Sequence, residues 1–185
     1  MNPRKAAVAM VIAIAATALL AGCSPTVDLN PPPAHANDPH CADVMVQITQ
    51  QVTSLTGSGG PLAKRETNAQ STAAWGDPTS VILSCGVPVP SATTLPCFYY
   101  NSSVYWLRQK DTARHVWHFT TFGRDPAIEL TVSTDQSPGA ILDQLNGEVD
   151  LLPKNGHVCS SPDDTVTGDA LPPSGTPTPT PSPTP

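Results

Sequence analysis

The run CFYYNSSVYWLRQKDTARHVWHFTTFGRDPAIELTVS, residues 97–133, decides the fold. Its segments CFYY (97–100), SVYWLR (103–108), HVWHFTTF (115–122) and AIELTVS (127–133) are dense in aromatic and β-branched side chains, which suit a pleated, half-buried backbone. Asn101-Ser102 and the polar segment 109–114 lie between such runs as natural hairpin turns, which favours antiparallel pairing. AIELTVS alternates cleanly, with Ile128, Leu130 and Val132 on one face and Glu129 and Thr131 on the other. One face of the sheet is therefore expected to carry a cover.

Upstream, AAWGDPTSVILSCGVPVP (73–90) holds a further strand, TSVILS at 79–84, between two proline corners. Asp38-Pro39 has the form of a helix N-cap with proline at the first helical position, and Val44, Ile48, Val52 and Leu55 follow at helical spacing before Gly57. Ser137-Pro138 repeats that start signal ahead of Ile141, Leu142, Leu145, Val149 and Leu152, with Asn146-Gly147 as a weak point. The expected fold is α+β: a small antiparallel sheet of four to five strands, flanked by an N-terminal and a C-terminal helix and held by two disulfides.

The chain opens with Arg4 and Lys5, an apolar run from Ala6 to Ala21, and Leu20-Ala21-Gly22-Cys23. A basic start, an apolar stretch short for a spanning helix and small residues at a cleavage point describe a secretory signal. Leu-Ala-Gly-Cys also has the form of a bacterial lipobox, in which Cys23 takes a thioether-linked diacylglycerol and becomes the new N-terminus. The expected membrane partner is lipid, reached through acylated Cys23, and the expected location is the extracytoplasmic face of the cell membrane.

Residues 1–22 are then the lipoprotein signal peptide. Residues 23–38 read as a proline-rich tether, which at about 3.1 Å per residue spans ~45 Å when extended. Residues 39–160 form the α+β domain, and 161–185, with its Thr-Pro repeat, reads as a disordered tail. Of nine basic groups, Arg4 and Lys5 leave with the signal, so seven face fifteen acidic ones and no nucleic-acid partner is expected.

Beyond Cys23 stand Cys41, Cys85, Cys97 and Cys159. An even count in an exported chain reads as two disulfides, with three connectivities open. No two of these cysteines have the close spacing of a structural zinc site. The pairing expected is Cys85 with Cys97, across a proline-rich loop, and Cys41 with Cys159, near the two ends of the domain.

The chain has no nucleophile elbow, S-x-x-K, H-E-x-x-H, Walker or EF-hand motif, so no catalytic residue, cofactor or metal is assigned. His115 and His118, three apart on a strand, point to opposite faces. Asp125, in the Gly123-Arg124-Asp125-Pro126 corner, reads as a turn-capping aspartate rather than one of a carboxylate pair with Glu129. Gly76-Asp77-Pro78 and Gly123-Arg124-Asp125-Pro126 both introduce strands. If those strands lie side by side, Arg124 reaches Asp77 near Trp75, either as a structural latch or as a recognition patch for a carboxylate or sugar, with Trp75 as platform.

At AWGDP (74–78), CGVPVP (85–90) and FTTFGRDPAIELTV (119–132), with the flanking cysteines and a helix on each side, the chain resembles the DUF3515 family of actinobacterial envelope proteins. That resemblance implies an envelope location and carries no activity. The expected function is that of a non-catalytic, membrane-anchored lipoprotein that binds or organises an envelope protein or cell-wall component. An envelope-acting enzyme with an unfamiliar site and a small-ligand-binding lipoprotein are the alternatives.

Overall fold

A computed structural model of the chain describes residues 25–91, 93–101, 103–160 and 165–166. The expected signal peptide, Cys23 and most of the expected tail lie outside the described residues. Helix α1 (Pro39–Gln51) starts where the sequence places it: the Asp38 carboxylate accepts a hydrogen bond from the His40 amide at 2.8 Å. Helix α2 (Pro138–Val149) likewise has proline in its first turn, and buries Ile141, Leu142, Leu145 and Val149. No helix among the described residues is long and apolar enough to cross a membrane.

The strands are β1 (Ser54–Gly57), β2 (Gly60–Arg65), β3 (Thr72–Trp75), β4 (Val81–Val87), β5 (Cys97–Tyr100), β6 (Val104–Asp111), β7 (Val116–Phe122), β8 (Ala127–Ser133) and β9 (Thr165–Val166). They run in the spatial order β1-β2-β3-β4-β8-β7-β6-β5-β9. The first eight pair antiparallel, and β9 adds a two-residue parallel pairing to β5. The expected four to five strands understate the sheet. β1, β2 and β3 were not legible because SLTG, GPLAKR and TAAW are short and lack the alternation that marks β8.

Leu55 belongs to β1 and not to the first helix. Helix α1 ends at Gln51, where β-branched Val52 and Thr53 disfavour continuation, and the chain turns back through Ser58-Gly59 so that Gly57 pairs with Gly60.

Both helices lie on one face of the sheet. Leu83, Cys85, Phe98, Trp106, Phe119 and Leu130 project into the same core as Ile48 and Leu142. Polar atoms of the core aromatics fix helix to sheet: Tyr100 Oη lies 2.9 Å from the Gly139 carbonyl and 2.9 Å from Asp143 Oδ1, and Trp106 Nε1 donates to Asn146 Oδ1 at 3.4 Å. The intervening positions Tyr99, Tyr105, His118, Thr120, Phe122, Glu129 and Thr131 are half-buried on the other face.

The disulfides join Cys41 to Cys85 and Cys97 to Cys159, which corrects the expected pairing. β8, β7 and β6 stand between β4 and β5, so Cys85 and Cys97 are four strand spacings apart, ~19 Å, where a disulfide needs Cα atoms within about 7 Å. Cys85 faces the core beneath the first turn of α1, whereas Cys97, next to inward-facing Phe98, faces the opposite side.

The stretch before α1 is not a free tether. From Pro25 onward it is laid along the domain as a strap. Val27 N donates to the Glu66 carbonyl at 2.8 Å, Leu29 N to Asn68 Oδ1 at 2.8 Å, and His35 N to the Gly86 carbonyl at 2.8 Å. Gly86 has φ +87°, and a Cβ there would run into the His35 carbonyl, so only glycine lets the strap close on β4.

Candidate functional site

Neighbouring strands place side chains of one parity in rows across a sheet, and on the face away from the helices one such row is aromatic. Tyr99 on β5 is in register with Tyr105 on β6, and Tyr105 with Phe122 on β7. The tyrosine rings stack at 4.3 Å with 23° between their planes. The His157 ring continues the row, 5.3 Å from that of Phe122 and tilted 32° to it. Tyr99, Tyr105, Phe122, Lys154 and His157 line a groove of about 230 Å³.

Three devices hold the C-terminal segment in place so that His157 and Lys154 complete this groove. The Cys97–Cys159 disulfide ties the segment to β5. Asn155 N donates to the Gly123 carbonyl at 3.0 Å, and Asp125 N to that of Pro153 at 3.1 Å. Gly123 has φ +85°, and a Cβ there would strike the His157 carbonyl oxygen.

Arg124 forms the floor of the groove, but its guanidinium is occupied. It donates to the Asp150 carbonyl at 2.9 Å, the Leu152 carbonyl at 2.5 Å and the Ser103 carbonyl at 2.9 Å, and is ion-paired with the Asp150 carboxylate. The residue is 2 % exposed. Asp150 is the C-cap residue of α2, so the guanidinium stands just past the helix C-terminus, where a cation opposes the negative end of the helix dipole.

The expected Trp75, Asp77 and Arg124 patch is thus not assembled. β4 and β8 are antiparallel, with Val81 opposite Val132 and Val87 opposite Ala127, so the corners that precede them lie at opposite ends of the pair. Asp77 pairs instead with Arg65, at 3.2 Å. Trp75 is fully buried, with Nε1 directed to the Val52 carbonyl at 3.4 Å, and has no face to offer a ligand. Tyr99 and Tyr105 were legible as outward-facing once Phe98 and Trp106 are taken as inward, but their alignment depends on a register that no local signal states. His157 carried no signal at all.

Elsewhere on the open face, His118 Nδ1 lies 3.3 Å from Glu129 Oε1 and 3.2 Å from Thr131 Oγ1. Both partners meet the same ring nitrogen. A nucleophile relay needs the carboxylate on one nitrogen and the hydroxyl on the other, so this cluster is not of that kind. His115 sits in the preceding turn with φ +56°. No group of three or more His, Cys, Asp or Glu side chains among the described residues is placed to hold a metal.

The profile of the family described as "Protein of unknown function (DUF3515)" matches residues 5–155. No curated protein and no solved structure matches the chain.

Proposed function

This chain belongs to the DUF3515 family, and from that premise we propose that it is a membrane-anchored extracytoplasmic lipoprotein that acts by binding an envelope component and not by catalysis. The observation that carries this reading is the aromatic row Tyr99-Tyr105-Phe122-His157 with Lys154 at its side. Aromatic faces carry negative charge density that attracts the polarised C–H groups of a saccharide ring, while tyrosine hydroxyls and an ammonium supply hydrogen bonds to its substituents. A groove of about 230 Å³ suits one such ring. The ligand class is therefore a cell-wall glycan, met one ring at a time.

Two disulfides support an oxidising, extracytoplasmic destination, and the Leu-Ala-Gly-Cys sequence ending at Cys23 supports acylation there. The test is retention of the purified protein on isolated cell-wall glycan, beside Tyr105→Ala and Phe122→Ala. Loss of retention of tenfold or more in both variants, with unchanged circular dichroism, supports the groove. Equal retention of wild type and variants, or none by wild type, overturns it.

A further inference from the structure

The strap makes the position of the lipid anchor a structural question. The Arg65 side chain, 8 % exposed, donates to the Pro25 carbonyl at 2.5 Å, and through its other terminal nitrogen to the Gly76 carbonyl and Asp77 Oδ1, both at 3.2 Å. Pro25 is therefore pinned beside the Gly76-Asp77-Pro78 corner. The hold continues along the strap, where Val27 bridges Thr67, and Asn68 bonds both Asp28 Oδ1, at 2.6 Å, and the Leu29 amide. Cys23 precedes Pro25 by only two residues, a span of at most ~7 Å.

We infer that, given acylation of Cys23 as proposed above, the domain rests directly on the bilayer by its Arg65–Asp77 corner, with the aromatic groove held at the far end of the sheet. Pro25 leaves no slack for the expected extended tether. The groove lies beside Gly123, in the corner at the start of β8, whereas Asp77 precedes β4 at the opposite end of that strand pair. β6, which carries Tyr105, is four strand spacings from β3. At ~4.8 Å per spacing and ~3.4 Å per residue along the strands, the diagonal between corner and groove is on the order of 25 Å. The lipid surface is thus the partner of one corner, and the opposite corner presents the groove outward at a set height.

The test uses the full-length acylated protein in vesicles of phosphatidylethanolamine and phosphatidylglycerol containing a headgroup-labelled acceptor lipid. A donor fluorophore is attached at Glu66→Cys, beside the pinned corner, or at Asp125→Cys, beside the groove; both positions are exposed. Ala63→Cys serves the first corner if Glu66→Cys folds poorly. Energy transfer is expected to be several-fold greater at position 66 than at 125. A twenty-residue Gly-Ser insertion between Ser24 and Pro25 is expected to lower it to the level at 125. Equal transfer at the two positions in vesicle-bound protein overturns the resting posture while leaving the anchor intact. An unmodified Cys23 by intact mass, with no vesicle binding, overturns anchor and posture together.

Discussion

Arg124 is ion-paired with Asp150 and donates to the main chain at both Asp150 and Leu152, so that one buried guanidinium closes the end of α2 and fastens β7 and β8 to it. The same contacts set the floor of the aromatic groove, because Lys154 and Asn155 follow directly on the clamped carbonyls.

Arg124→Ala is expected to destabilise the domain by about 3 kcal/mol, since it leaves several carbonyls and a carboxylate without their shared donor. A double-mutant cycle in chemical denaturation is expected to give a coupling of about 1 kcal/mol between Arg124→Ala and Asp150→Ala, and none with Asp77→Ala. Coupling to Asp77 of similar size would reject this arrangement.

Non-reducing peptide mapping is expected to recover Cys41 linked to Cys85 and Cys97 linked to Cys159. Sequence separations of 44 and 62 correspond to at most about 4 kcal/mol each in the chain-entropy account. The paired change Cys97→Ser, Cys159→Ser is further expected to weaken glycan retention, because it frees the segment that carries His157. A peptide joining Cys85 to Cys97 would contradict the strand order.

Burial lowers the Lys64 ammonium below its ordinary pKa of 10.5, and neighbouring Glu66 offsets part of that effect. The unfolded chain keeps this proton up to about 10.5, while the folded chain releases it at lower pH. Between the two values the unfolded state binds more protons, so this group's contribution to stability rises with pH. Lys64→Met is accordingly expected to gain most over wild type near neutral pH, with the gap narrowing as pH approaches 10.5 in parallel urea titrations. A gap that widens with pH would show that the sign is wrong.

Cys23→Ala is expected to release the protein from the membrane fraction or to leave an uncleaved precursor, since the thioether acceptor is gone. Fractionation followed by mass spectrometry of the N-terminal peptide checks it. Membrane retention of a processed Cys23→Ala protein would place the anchor elsewhere.

The sequence by itself determined the local elements whose signals are local. The alternation of Ile128, Leu130 and Val132 marks β8, and the Asp38-Pro39 and Ser137-Pro138 starts mark the two helices, because backbone preference and side-chain parity act within a few residues. The family resemblance was legible for the same reason, carried by contiguous motifs within residues 74–132. Only the tertiary structure decided the partners. Cys85 meets Cys41, Arg124 meets Asp150, Asp77 meets Arg65, and the strap lies on the sheet, since each depends on the strand order and on which face a residue reaches. The aromatic groove belongs with these: Tyr99, Tyr105 and Phe122 become one row through cross-strand register, and His157 joins them because neighbouring Cys159 is bonded to Cys97, 62 residues earlier in the chain.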